Sequence, residues 1–141
     1  MESLQQVEVV KDRGLTGDRY RGKPGGKRQV TLIQYEHLEA VGRILGREPI
    51  DPWLTRRNIV VRGINLQSLR RRQFRIGSAV LYGTGLAHPC SKMEEMLGPG
   101  GYAAMIGHGG LTTSILQSGQ ISLGNSVCML SDDELFDVEN A

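Results

Sequence analysis

The chain of 141 residues is long enough for a domain with a hydrophobic core, and its composition of 39% hydrophobic and 23% charged residues is that of a globular protein. No apolar run approaches the roughly 20 residues that a membrane-spanning helix needs. No basic segment followed by an apolar one marks a secretory signal at the N-terminus. We therefore expect a cytoplasmic protein that does not associate with membranes.

The net charge of +2 conceals an uneven distribution. Residues 52–93 contain no acidic residue but seven arginines and Lys92, whereas residues 132–139 carry five acids. A basic stretch of this kind is typical of a surface that attracts anions. For the triplet Arg70-Arg71-Arg72, however, we expect only a solvated turn.

The predicted elements are mostly short strands separated by turns. The first is a strand over 7–10, followed by a long polar loop over 14–28 whose glycines and basic residues make it a candidate binding loop. A strand over 28–33 leads into an amphipathic helix over 34–46, in which apolar residues recur at three- and four-residue steps. The later predictions are strands over 58–63, 73–83 (two runs broken at Gly77-Ser78), 111–117, 120–124 and 126–130, and a short helix that begins at Ser91.

About eight strands and a few helices that do not alternate as strand–helix–strand units predict a mainly β fold, a small barrel with two or three short helices. On the predicted helix, His37 is expected to face solvent. On the last strand, Cys128 is expected to pack in the core. Cys90 and Cys128 lack the spacing of a zinc site, and the three histidines are scattered, so a structural zinc is not expected.

The stretch LAHPCSKMEEML, residues 86–97, presents Cys90 just before a predicted helix. Ser91 and Glu94 match a capping box, and the helix start together with Lys92 favours an ionised thiolate. Two alternatives stay open for Cys90: a reactive thiol, or an inert buried one. His88 is a candidate base for this thiol or a loop cap. No signature of a cysteine protease is present, so hydrolysis is disfavoured.

The sequence GHGG at 107–110 precedes a predicted strand. Its glycines allow either a close approach to a ligand or a simple flexible turn, and His108 is either a ligand contact or an ordinary loop residue. The segment lacks the spacing of a dinucleotide fingerprint, and no phosphate-binding P-loop motif occurs elsewhere. A nucleotide-binding site of either kind is therefore not supported.

Five blocks in order resemble the MOSC domain family, named after the C-terminal domain of molybdenum-cofactor sulfurase. They are GLTGDRY, RQVTLIQYEHL, RRNIVVRGINL, FRIGSAVLYGTGLAHPC and GGLTTSILQSGQISLGNSV. The resemblance covers nearly the whole chain, from about Val7 to Met129. The resemblance implies a single MOSC domain over 1–141 with a β-rich barrel. It also associates Cys90 with the molybdenum cofactor (molybdopterin), as a metal ligand or as a carrier of sulfur in a persulfide.

The resemblance also points to residues that would hold the anionic tail of the cofactor or shape its pocket. These candidates are Asp18, Arg19, Arg28, Arg57 and Asn58, and we add His108. An equally weighted alternative is that the GDR and RRN motifs pair with each other and lock the barrel. With Cys90 as candidate metal ligand, Cys90 and His88 are the candidate catalytic residues.

The expected function is binding of the molybdenum cofactor, with two-electron reduction of N-hydroxylated substrates if the protein is an enzyme. No flavin, haem or iron–sulfur motif is present, so electrons would come from a partner protein. The alternative is a non-redox sulfur carrier, or a cofactor chaperone for metal–sulfur cluster assembly, that receives sulfur from a donor protein. A nucleic-acid-binding barrel is disfavoured, because only Phe74 and Tyr82 offer stacking rings along the basic stretch.

The sequence departs from the family pattern at two places, and each departure leads to a structural prediction. Gly124-Asn125 stands where the family has Gly-Asp, which is either a harmless turn substitution or the loss of a salt bridge or site contact. The family also has a further strand before the one at 7–10. An edge beside that strand is therefore expected to be open, which would favour a homodimer or a partner strand.

Overall fold

A computed structural model of the chain describes residues 5–15, 26, 29–55, 57–89 and 91–137. The strands are β1 (Gln6–Val10), β2 (Gly14–Leu15), β3 (Val30–Gln34), β4 (Ile59–Val61), β5 (Gln73–Ile76), β6 (Ala79–Leu86), β7 (Leu111–Gln117), β8 (Gly119–Ser122) and β9 (Val127–Met129). The helices are α1 (Tyr35–Ile44), α2 (Pro52–Thr55), α3 (Ser91–Leu97) and α4 (Gly101–Met105), with 3-10 turns at Leu66–Leu69 and Asp132–Glu134. Within this described chain, every helix is too short or too polar to cross a membrane.

The chain folds into two compact units. The first is drawn from Met1–Val30, Ser68–Gly85 and Thr112–Ala141, and the second from Thr31–Gln67 and Leu86–Leu111. The predicted strands and the long helix are confirmed in type, and their ends differ from the prediction by a few residues. The mainly β class is confirmed as well.

In the first unit, β1 is the middle strand of a three-stranded sheet in the order β2-β1-β8. Both pairings are antiparallel, with Val9 opposite Leu15 on one side and Val7 opposite Ile121 on the other. On the edge away from β8, β2 pairs only with Val9 and Val10, so the expected open edge is covered over those two residues and otherwise stays a prediction. Dimerisation itself stays a prediction.

Also in the first unit, β5 lies between β6 and β9. Phe74 and Ile76 are buried while their neighbours on β5 are half-buried, the alternation of a strand that buries one face. The turn to β6 passes through Gly77 at φ 59°, where a methyl group would overlap the carbonyl oxygen of Gln120. A glycine is needed at this point, which explains the predicted break between the two strands.

The prediction that Cys128 packs in the core was wrong, since Cys128 is exposed. On the neighbouring strand it pairs with Arg75, while the buried Phe74 and Ile76 pair with Met129 and Val127. Directly paired residues point to the same face of a sheet, so Cys128 lies on the face away from Phe74. Alternation along β9 separates two faces, but it does not say which of them is inside.

In the second unit, β3 and β4 run parallel, with Leu32 opposite Ile59. The amphipathic helix α1 follows β3 directly and buries Leu38, Val41 and Gly42. The hydrophobic core of this unit combines residues of β3, α1, α3 and α4 with Ile50, and it consists of Ile33, Leu38, Val41, Ile50, Met93, Leu97, Ala104 and Met105. This core holds α3, the helix that follows residue 90, against α4, which in turn packs on α1.

The predicted capping box of α3 was wrong, because Glu94 caps the next helix instead. Its carboxylate accepts hydrogen bonds from the N–H of Gly100 (3.0 Å) and from the N–H of Tyr102 (2.9 Å), at the start of α4. Ser91 is the first residue of α3 rather than a residue before it. The sequence GPGG at 98–101 by itself predicts only a turn. The Glu94 side chain is what lets a short helix begin there.

The Gly124-Asn125 departure is a tight turn. Gly124 has φ 88°, and the Asn125 side-chain oxygen accepts a hydrogen bond of 2.7 Å from the N–H of Ser122. A carboxylate oxygen would accept the same bond. The structure therefore supports the harmless turn substitution.

Replacing Glu94 by glutamine should lower the melting temperature at neutral pH. The N–H of Tyr102, and then that of Gly100, hold the pKa of Glu94 below its usual value of 4.5. A carboxyl group with a lowered pKa stabilises the fold above its ordinary value, and this contribution is lost as the pH falls through the folded-state value. The gap between wild-type and Glu94→Gln melting temperatures should therefore close in acid. The neighbouring exposed Glu95→Gln is the control, and an equal pH-dependent loss in that variant would contradict the capping role.

Candidate functional site

The eight candidate site residues divide by where the structure describes them. Cys90, Asp18, Arg19 and Arg28 lie outside the described residues, so their roles stay predictions. The other four, Arg57, Asn58, His88 and His108, all belong to the second unit. Their contacts define the part of the site that can be built from the residues upward.

Arg57 is a buried arginine, only 7% exposed, that joins three segments of the chain. Its Nε donates to the carbonyl oxygen of Gly109 (2.6 Å), Nη1 donates to that of Thr55 (3.2 Å) and Nη2 donates to that of His88 (3.4 Å). These acceptors lie at the end of α2, in the loop before β7 and in the segment after β6. One guanidinium thus holds together three loops that are far apart in the sequence.

The positive charge of Arg57 explains why these carbonyl groups converge. A buried cation is costly unless polar groups replace its hydration, and the fork of an arginine can serve several acceptors at once. The bonds seen here join three segments of the second unit. A direct contact between Arg57 and a cofactor phosphate stays a prediction.

Asn58 links the beginning of β3 to the approach to β4. Its side-chain oxygen accepts from the N–H of Thr31 (2.9 Å) and from the Thr31 hydroxyl (3.1 Å). The N–H of Asn58 donates to the Thr31 carbonyl at 3.0 Å. These bonds set the register of the parallel pair. Because the GDR motif lies outside the described residues, its pairing with RRN stays a prediction.

The GHGG loop at 107–110 is a tight junction between backbone segments. A methyl group on Gly109 would overlap the carbonyl oxygen of Ala87, and one on Gly110, which has φ 100°, would overlap that of Leu32. The N–H of Ala87 donates to the Gly110 carbonyl at 2.8 Å. Among the described residues, the glycines therefore allow the loop to approach the protein's own backbone at Ala87 and Leu32.

His108 stacks on His37, with ring centroids 4.2 Å apart and an angle of 14° between the ring planes. Burial, and next the neighbouring His108, lower the pKa of His37, while Glu36 acts in the opposite direction. The prediction that His37 faces solvent was wrong, because the loop before β7 lies against this position of α1. Helical periodicity carries no signal for a loop that packs on a helix from elsewhere in the chain.

His88 is exposed, and its own backbone carbonyl is held by Arg57. The segment 87–89 leads directly into Cys90. An exposed imidazole on a fixed backbone can exchange protons with solvent or substrate, which is the chemistry required of an acid–base partner. Among the residues that the structure describes, no group of three or more histidine, cysteine or acidic side chains is placed to hold a metal ion.

The chain is similar to known proteins in sequence and in structure. A model of the MOSC domain matches residues 17–128, whereas no curated protein matches in sequence. The fold resembles the crystal structure of the YUAD protein from Bacillus subtilis, with a TM-score of 0.75 at 17% identity over 89% of this chain and 85% of that one. It also resembles YiiM from Escherichia coli, with a TM-score of 0.70 at 18% identity over 89% of this chain, and YiiM from Geobacillus stearothermophilus, with a TM-score of 0.67 at 21% identity over 76% of it.

This chain covers only 62% of the Escherichia coli YiiM chain and 57% of the Geobacillus one. Identities this low establish a shared fold and nothing about activity. The structural similarities confirm the predicted fold class, which is mainly β of the MOSC type with short helices.

Arg57→Met should destabilise the protein by about 3 kcal/mol, because the variant keeps the volume but leaves buried carbonyl groups without their charged donor. Urea unfolding measures the change. Arg43→Met on the exposed surface of α1 is the matched control, for which we expect a change within about 0.5 kcal/mol. Equal small effects of both substitutions would show that Arg57 does not join these loops.

Two alanine variants of one loop test the tight junction. Gly109→Ala should cost about 3 kcal/mol, because the added methyl group meets the backbone of Ala87 and one of the two segments must move. An added methyl group at Gly107 would have no atom of the described chain within 4 Å, so Gly107→Ala should cost only about 1 kcal/mol for its left-handed φ of 79°. A larger loss for Gly107→Ala in denaturant unfolding would contradict the packing described for this loop.

Proposed function

The chain belongs to the MOSC domain family, and on this premise we propose that it binds the molybdenum cofactor with Cys90 as a ligand to molybdenum. The observation that carries the proposal is the Arg57 junction. A buried guanidinium holds the carbonyl groups of His88 and Gly109, and His88 lies two residues before the thiol. A metal ligand needs a backbone of defined position, and this junction supplies one for the segment that leads to Cys90.

The donor types present fit the cofactor. A cysteine thiolate is a soft ligand of the kind that binds such metals. The exposed His88 offers a proton donor close to the thiol in the sequence. For the anionic tail of the cofactor we propose Asp18, Arg19 and Arg28, with the arginines as phosphate donors and Asp18 orienting them. Arg57 and Asn58 would hold the loops of the second unit, among them the segment that leads to Cys90.

We further propose that the substrates are N-hydroxylated compounds. When bound, the cofactor supplies a centre for two-electron chemistry. Reduction of such a substrate breaks the N–O bond, takes up two electrons and two protons, and releases an amine and water. A partner redox protein would supply the electrons, and His88 would deliver a proton to the departing oxygen.

Metal analysis of the purified protein tests the role of Cys90. After expression in cells that make the cofactor, wild-type protein should retain molybdenum and pterin, the latter detected by fluorescence after oxidation. Cys90→Ala should lose at least about tenfold of the molybdenum, because the soft ligand is gone. Cys128→Ala removes the exposed cysteine of β9 and should leave the molybdenum content unchanged.

Two results would contradict this assignment. One is equal molybdenum in wild type and Cys90→Ala. The other is wild-type protein without molybdenum that gains the mass of one sulfur atom on Cys90 after incubation with a cysteine desulfurase and cysteine. That second result would instead make the protein a sulfur carrier through a persulfide.

A further inference from the structure

His108 provides the single side chain of the 107–110 loop, because the other three residues are glycines. That side chain lies flat against the ring of His37 on α1. The other contacts of the loop use its backbone: Gly107 and Gly109 accept from Gln67 and Arg57, and the N–H of His108 donates to Met105. The histidine stack is therefore the side-chain contact that fastens the loop to the helix.

Both histidine rings bury their Nδ1 atom without a hydrogen-bond partner among the described residues. A neutral ring tolerates this arrangement when its proton is on Nε2, because Nδ1 is then only an unused acceptor. Protonation would instead place a buried N–H where no acceptor lies, and a second protonation would set two positive rings face to face. The geometry of the stack, with both Nδ1 atoms buried, therefore suits uncharged rings better than charged ones.

We infer that the His37–His108 stack is a pH-sensitive latch, which holds the 107–110 loop on α1 while the rings are neutral and releases it when they are protonated. Histidine suits this role because its ordinary range of titration lies near neutrality. The inference does not depend on the proposed cofactor or on Cys90.

Few charges act on the latch from the surrounding elements. On α1, the Glu36 carboxylate favours a protonated His37, but its two oxygens already accept from the N–H of Gly63 and from Gln34. The helix packed on α1 is α4, which has no charged residue, and its one titratable group is the exposed phenol of Tyr102. The charged group nearest along the loop is Arg57, whose Nε donates to the carbonyl oxygen of the next residue, Gly109.

The direction of the pH effect follows from burial. The pKa of His37 is lowered from 6.5 in the folded chain, so the contribution of the stack is present above that ordinary value. It is lost as the pH falls through the lower folded-state value, because the unfolded or released ring binds a proton more readily. Release would also loosen the Gly109 carbonyl from Arg57, and through Arg57 the segment at His88.

Amide hydrogen exchange, corrected for its intrinsic dependence on pH, tests the latch at two reporters. The N–H of His108 donates to Met105, and the N–H of Ala87 donates to Gly110, each at 2.8 Å. Between about pH 7.5 and about pH 5.5 we expect exchange at both amides to accelerate by about tenfold in the wild-type chain. His37→Phe keeps a stacked ring that cannot titrate and should abolish the acceleration, whereas His88→Asn, which changes the exposed third histidine, should retain it.

An NMR titration of the wild-type chain should give the same pH dependence for the ring signals of His37 and His108 as for amide exchange at Ala87 and His108. The latch would be disproved by exchange that does not change with pH, or by an acceleration that persists in His37→Phe. Titration of both rings with no change at the Ala87 and His108 amides would disprove it equally, whatever the stability of the variants.

Discussion

The requirement to satisfy one buried positive charge organises the described part of the site. Arg57 lies inside the second unit, where its guanidinium has replaced water with carbonyl groups of the backbone. Because each carbonyl belongs to a different segment, the charge can be buried only when those segments meet. The loop before β7, the segment after β6 and the end of α2 are thus parts of one arrangement, and the segment that leads to Cys90 is one of them.

The glycines of the 107–110 loop complement this arrangement. The backbone at Gly109 and Gly110 packs so closely against Ala87 and Leu32 that a Cβ atom would not fit at either position. Glycine is therefore required for this close backbone contact. Its one remaining side chain, His108, contacts α1 instead. The candidate site is therefore supported by backbone contacts, by the charged Arg57 side chain and by the titratable His108 ring. Among the described residues, the proposed latch is the point where protons would act on this frame.

Much of the fold could be predicted because periodicity is a local property. The alternation of β5 and the helical spacing of α1 are written in consecutive residues, and both elements were found where expected. The prediction missed α4, because the side chain that caps it, Glu94, belongs to the preceding helix. It also placed Cys128 in the core, because alternation along β9 separates two faces without showing how far either is covered.

The order of the elements, the uneven charge, the family and the residues with suitable chemistry can all be read from the amino-acid sequence, because each depends on residue types and short-range spacing. How those residues contact one another becomes visible only in the folded chain. Arg57 meets carbonyl groups 31 and 52 positions away along the chain, and His37 meets a ring on a loop that no pattern in α1 foretells. Such contacts form where the packing of distant segments removes water, and the energy of a buried charge or ring depends on that packing and not on its neighbours in sequence.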